Sequence, residues 1–292
     1  MIRFADVAVG SGDEVRCSRC HGESQSVSYR SASEIAAEIA MACELWDEPP
    51  GPNVALTGAE PFGHPELPAL VGAAVDAHCR RLCLETDAVA LRSSQNAGGS
   101  LMAGVRHLRW TILGGTPGVH DVLLGTPGAL DLSVEGVRSF RSIAAEESIP
   151  VSVTTVVPVC RHNVHDLPAA AGLAVDAGAD RVLLRVEDGG LDLAAALPWI
   201  VAACDTGVVN GVWVEVEGVP FCLLAGYDLH LSDAVRERAG AKQPICIECP
   251  LDSVCAGVPA GASADQLAML SPPSFAETLA VSVLRARTTR AE

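Results

Sequence analysis

Along the chain, short apolar runs of five to eight residues alternate with longer stretches in which hydrophobic residues recur every three or four positions. The first pattern is that of a strand and the second that of a helix with one buried face. Read this way, strands fall at 4–9, 53–58, 81–86, 107–113, 150–157, 181–186 and 211–216, and helices at 31–46, 64–79, 133–148, 166–179 and 191–204. Ser31 or Ser33 is placed to cap the first helix, and a proline stands in the first turn of the second.

Strands separated by helices pair in parallel through right-handed crossovers. The predicted fold class is therefore α/β. Six βα units are too few to close an eight-stranded barrel, so the expected architecture is a partial (β/α)6 TIM-type barrel. In such folds the chemistry gathers in the loops after the strands, on one rim. The loop after the first strand holds Cys17 and Cys20, and the loop after the second holds Gly58, Ala59, Glu60 and Pro61.

From about residue 218 the alternation stops. The organisation predicted is a barrel over 1–217, a small cysteine-bearing appendage over 218–262, and a last helix over 263–292 packing back on the barrel. Cys222, Cys246, Cys249 and Cys255 all lie in the appendage, whereas Cys43, Cys79, Cys83, Cys160 and Cys204 fall on helix or strand patterns and read as small core residues.

Composition narrows the function classes. Of 292 residues 49% are hydrophobic, enough for a sizeable core, and only 4% are aromatic, which suits close helix-on-strand packing. The formal net charge is -16 with no basic run, which argues against nucleic acid as a partner, since binding to phosphate backbones depends on Lys and Arg. No leader-like start and no apolar run of spanning length is read in the sequence, so a cytoplasmic protein without a membrane partner is expected. Eleven cysteines in that setting point to metal or redox chemistry rather than disulfides.

Three segments together resemble the radical SAM superfamily. The loop after the first strand reads Asp13-x3-Cys17-x2-Cys20, where that family carries C-x3-C-x2-C. The stretch 56–67, LTGAEPFGHPEL, resembles its GGEP segment, and 118–140 resembles a further segment after its fourth strand. The resemblance covers about residues 2–216. It implies a [4Fe-4S] cluster on Asp13, Cys17 and Cys20, with the open iron binding S-adenosylmethionine (SAM), and Gly58, Ala59 and Glu60 beside the methionyl amino group. Thr111, Thr155 and Arg185, near the ends of the fourth to sixth strands, are candidates to face the adenosine. Asp13 departs from the thiolate of the pattern and is a harder ligand; the other reading of this loop is that it no longer holds a cluster.

Cys246-x2-Cys249-x5-Cys255, with Cys222 before it, is similar to the auxiliary-cluster segment of SPASM or twitch extensions, which implies one auxiliary [4Fe-4S] cluster. Four thiols in this pattern also suit structural zinc, or stay free. The implied activity is that of an enzyme cleaving SAM to start radical modification of a peptide or small natural product, fed by an electron donor. The alternative is a degenerate partner subunit that keeps the fold and serves an active relative. Arg161, His162 and His165, after the fifth strand, are further residues on the same rim.

Overall fold

A computed structural model describes residues 3–12, 26–46, 51–186, 191–224, 226–231, 243–252, 255, 257 and 270. Its centre is a seven-stranded sheet, parallel throughout, in which strands follow one another in chain order: β1 (Ala5–Ala8), β4 (Asn53–Thr57), β5 (Arg81–Thr86), β6 (Val105–Thr111), β7 (Ser152–Val159), β8 (Arg181–Val186) and β9 (Trp213–Glu217). A separate two-stranded antiparallel ladder joins β2 (Gly10–Ser11) to β3 (Ser28–Tyr29). Seven α-helices lie among the described residues: α1 (Ala32–Glu44), α2 (Leu67–Asp76), α3 (Ser94–Met102), α4 (Pro117–Leu124), α5 (Ala129–Glu146), α6 (Leu167–Ala177) and α7 (Leu193–Asn210). The sheet is open rather than closed, as a partial barrel requires.

Side chains alternate across each strand, so register divides the sheet into two faces. One face presents Leu82, Leu84, Leu108, Trp110, Val153, Val157, Val182, Leu184, Val214 and Val216, all buried in the main core. Helices cover it: α1 contributes Ile35 and Ile39, and α5 contributes Val134, Val137, Phe140 and Ala144 at helical spacing. Full burial of Trp110 or Phe140 contributes on the order of 2–3 kcal/mol each. Trp110 also donates its indole N–H to Ser133 Oγ at 2.6 Å, and Ser133 in turn donates to the Asp87 carbonyl, so the polar edge of the ring is satisfied. The other face carries Asp6, Ala55, Cys83, Glu85, Arg109, Thr154 and Arg185. It is the concave side.

The periodic elements stand where the pattern places them, with β5 and β8 matching residue for residue. Two helices do not come from periodicity. In α3 only Ala97 and Leu101 are buried, and two glycines weaken its helical preference, so packing holds it in place. In α4 a proline follows Thr116 and the helix stops after eight residues at Gly125. The Asp121 carboxylate then accepts from the Gly128 and Leu130 amides, which starts α5 four residues ahead of the predicted position.

One expectation is corrected. By length and composition α7 is apolar enough to span a membrane, so a run of that kind is present in the chain. It connects two neighbouring strands, β8 and β9, and lays Leu193, Ala196, Ile200, Ala203 and Cys204 against the core. That placement makes it a layer helix of the barrel.

Past β9, Phe221, Leu224, Leu231 and Leu251 join the main core, and Leu231 forms an isolated bridge to Val216. The described part of the cysteine-bearing stretch is thus continuous with the barrel. Apart from Leu270, the predicted last helix over 263–292 lies outside the described residues.

Candidate active site

The loop after β4 is built around a close backbone approach. Gly58 has φ +86°, and a Cβ there would stand 2.5 Å from the Gly10 carbonyl oxygen. Only glycine accepts both conditions. Ala59 then donates its amide to the same Gly10 oxygen at 3.3 Å, and its methyl is fully buried toward Gly10, whose own missing side chain leaves the room. The added methyl therefore points into the fold and crowds no open surface.

Glu60 closes this loop onto two others. Its carboxylate accepts from the Phe62 amide at 3.1 Å, from Thr86 Oγ1 at 2.8 and 3.0 Å, and from the Asp87 amide at 3.0 Å. Burial, with the Asp87 carboxylate nearby, pushes the Glu60 carboxyl up to about 7. Tyr29 of β3 donates its hydroxyl to the Glu60 carbonyl at 3.0 Å and lies against Gly63. His64 bridges the same elements: Nε2 contacts the Arg30 carbonyl and Nδ1 accepts from the Glu66 amide, both at 3.0 Å. Arg30 reaches the Ala8 carbonyl at 2.8 Å and Glu38 at 2.7 Å. The two strands that flank segment 13–25 in the sequence, β2 and β3, are thus bolted to the loop after β4.

The loops after β6 and β7 brace each other. Asp166 accepts from the Gly115 amide at 2.7 Å and the Thr116 amide at 3.0 Å, and Thr116 Oγ1 adds a bond at 3.2 Å. Buried Asn163 donates to the carbonyls of Leu113 and Pro158 and accepts from the Cys160 amide. His120 Nδ1 accepts from the Leu113 amide, and burial lowers its imidazole to about 4, so it is neutral at physiological pH. In the segment 160–166 the residues that act inward are Asn163 and Asp166; Arg161 is exposed and donates to His162.

Inside the barrel a charged ladder crosses the concave face. Arg109 on β6 meets Asp6 on β1 at 2.6 Å and Glu85 on β5 at 3.3 Å; Arg185 on β8 meets Glu85 at 3.4 Å and Glu217 on β9 at 3.1 Å. Arg109 also lies over the Phe4 ring, 5.4 Å from its centroid. Glu85 and Arg185 are the penultimate residues of their strands and Glu217 the last, so the ladder sits just inside the rim.

The sequence-predicted residues fare differently. Gly58, Ala59 and Glu60 form the braced rim loop. Arg185 is in the ladder. Thr111 shares the concave face with Arg109, but Thr155 pairs in register with Trp110 and Val182 and faces the helices, because one residue along a strand reverses the side. Both threonine hydroxyls are buried without a hydrogen-bond partner, so neither is offered to an open surface. Asp13, Cys17 and Cys20 lie outside the described residues. Cys222 falls in a short 3-10 turn (Phe221–Leu223), Cys246 ends another (Pro244–Cys246), Cys249 donates its amide to the Cys246 carbonyl, and Cys255 donates to that of Leu251. Among the described residues no three or more His, Cys, Asp or Glu side chains are grouped so as to hold a metal ion.

No family model matches the chain. It is similar to an AdoMet-dependent heme synthase of Oleidesulfovibrio alaskensis, 27% identical over 139 residues, which is 47% of this chain and 35% of that protein. It is also similar to the PqqA peptide cyclase of Xanthomonas campestris pv. campestris, 26% identical over 166 residues, 55% of this chain and 38% of that one. The matches thus take in little more than a third of each curated relative. Among solved structures, SuiB of Streptococcus suis bound to S-adenosylmethionine superposes with TM-score 0.57 at 12% identity, covering 87% of this chain and 72% of that one. SuiB bound to precursor peptide SuiA gives TM-score 0.55 at 13% identity, over 80% and 53%. The curated relatives, together with the SuiB fold, support a radical SAM superfamily protein.

Four members of the charged ladder, Asp6, Glu85, Arg109 and Glu217, were missed by sequence reading. A signal existed. In β5 Arg81 and Glu85, and in β6 His107 and Arg109, fall on one side of the strand, while Leu82 and Leu84, and Leu108 and Trp110, fall on the other. Period two with charges on one face marks a polar lumen, and only their pairing needed the structure.

Proposed function

We propose that this radical SAM protein is an enzyme that binds SAM at the barrel rim and starts radical modification of a peptide or a small peptide-like natural product. The observation that carries the reading is the bolting of β2 and β3 to the loop after β4. It sets the strands that precede and follow sequence segment 13–25 against the Gly58–Glu60 loop, which supports reading that segment and this loop as the two parts that the family uses together. In this reading Asp13, Cys17 and Cys20 hold a [4Fe-4S] cluster, which with bound SAM supplies reductive cleavage of the sulfonium to a 5′-deoxyadenosyl radical.

The chain's own residues supply position and shape. Gly58 and Ala59 bring backbone close to the ligand side of the rim without a protruding side chain. Glu60 spends its carboxylate on Thr86, Asp87 and Phe62, so it fixes the loop and leaves ligand contact to the backbone. Asn163 and Asp166 hold the loops after β6 and β7 in fixed relation. The charged lumen beneath the rim gives a polar floor for substrate. A peptide-like substrate is supported by the likeness to the PqqA peptide cyclase and to SuiB, a structure of which holds its precursor peptide.

The test is anaerobic purification and reconstitution of the full chain with iron and sulfide, then addition of SAM and dithionite. About four irons per chain, lost in a Cys17→Ala, Cys20→Ala variant, together with 5′-deoxyadenosine as product, is the expected result. Iron that stays bound in the double variant, with no 5′-deoxyadenosine from the wild type, overturns the enzyme reading in favour of a partner subunit. An Asp13→Cys variant that alone gains cleavage identifies the aspartate as the lesion.

A further inference from the structure

The lumen ladder carries one carboxylate in excess, yet leaves guanidinium donors unused. Three carboxylates, Asp6, Glu85 and Glu217, face two guanidinium groups, Arg109 and Arg185. Glu85 commits both oxygens, Oε2 to Arg109 Nη1 and Oε1 to Arg185 Nη1. Arg109 uses Nη1 alone, for Asp6 and Glu85, and Arg185 uses Nε and Nη1. Arg109 Nε and Nη2 and Arg185 Nη2 thus donate to no acceptor among the described residues, although the two side chains are only 17% and 14% exposed. A guanidinium carries five N–H donors, and leaving them unmet in a largely buried side chain is costly.

The ligand that answers these donors follows from the surroundings. A carboxylate would bring a fourth negative charge to a row that already has one in excess. An ammonium would compete with the arginines for oxygens already in use. A neutral carbonyl takes the spare N–H groups and adds no charge. We propose that Arg109 and Arg185, held in place by Glu85, form a binding site for uncharged amide carbonyl oxygens of a substrate lying in the barrel. This rests on the peptide-like substrate reading above and sharpens it: the lumen grips main-chain or Asn/Gln-type amides, not an acidic or basic side chain. Arg109 and Arg185 touch the ligand; Glu85 is a positioning residue.

The measurement uses the full chain labelled with 15N-arginine, in which Arg109→Gln and Arg185→Gln assign the two Nε–Hε resonances. The probes are N-acetyl-trialanine-N-methylamide, propionate and butylammonium. The capped peptide at millimolar concentration is expected to shift both resonances saturably, with the other two probes much weaker. Glu85→Gln is expected to weaken that binding about tenfold, and Arg185→Lys, which keeps the charge and loses the planar fork, by a similar factor. If Glu85→Gln does not fold, Arg185→Lys decides alone. Unshifted resonances with the capped peptide, or a stronger response to propionate or butylammonium, overturn the proposal. The measurement needs neither iron nor SAM, so its failure is distinguishable from failure to form 5′-deoxyadenosine.

Discussion

Glu85 and Arg185 stand on strands three places apart in the sheet, yet their side chains meet at 3.4 Å. In a flat sheet three strand spacings are about 14 Å. Arg109 and Asp6 repeat the relation, again three strands apart, at 2.6 Å. The side chains close these gaps because the sheet curls round a lumen, so the two contacts are chords across an open barrel.

Removing the centre of this ladder has a sharp expected cost. Glu85→Ala leaves Arg185 with Glu217 only and Arg109 with the half-exposed Asp6 only. Breaking a largely buried pair from one side typically destabilises by about 3 kcal/mol. Urea unfolding of Glu85→Ala should show that loss, and a variant that also replaces the buried partners, Glu85→Leu, Arg109→Met, Arg185→Leu and Glu217→Leu, should recover much of it. A single variant as stable as wild type shows that the ladder is solvated and energetically slack.

Glu60 sets a pH dependence with a defined sign. Its carboxyl is raised to about 7 in the fold, while the unfolded chain has the ordinary value near 4.5. Between those values the native state binds more protons, so this group's contribution to stability falls as pH rises from about 4.5 through about 7 and stays low above it. Urea midpoints at pH 5 and pH 8 should therefore differ more for wild type than for Glu60→Gln. An equal difference in both proteins removes Glu60 as the cause.

Gly58 tolerates no side chain. Gly58→Ala adds a Cβ 2.5 Å from the Gly10 oxygen at a left-handed φ, and the rim loop must move. A loss of roughly 2 kcal/mol is expected. Equilibrium dialysis of reconstituted protein should also show weaker SAM retention, because the displaced loop braces β2 and β3. Unchanged melting temperature and retention would mean that the close approach is not needed.

Asp166 ties two rim loops by three bonds from Gly115 and Thr116. Asp166→Ala strands two half-buried amides and should cost about 1–2 kcal/mol, with faster hydrogen exchange at Gly115 and Thr116 than elsewhere in the barrel. Uniform exchange across the sheet would place the loss in global stability alone.

The sequence by itself determined the layered α/β barrel. Strand and helix periods are local, so β5 and β8 are legible to the residue. It also placed the Gly58–Glu60 segment in a rim loop, since connection order follows from alternation, while Cys17 and Cys20 lie outside the described residues. What it left open was every relation between distant strands. That Thr155 turns to the helices and Arg185 to the lumen depends on strand register, and a shift of one residue reverses it. That Glu60 points inward depends on Thr86 and Asp87, residues 26 and 27 positions away, arriving beside it. The helices α3 and α4 form because packed neighbours outweigh weak local preference. Long-range pairing is decided by curvature and burial of the whole sheet, and no local stretch of sequence contains either.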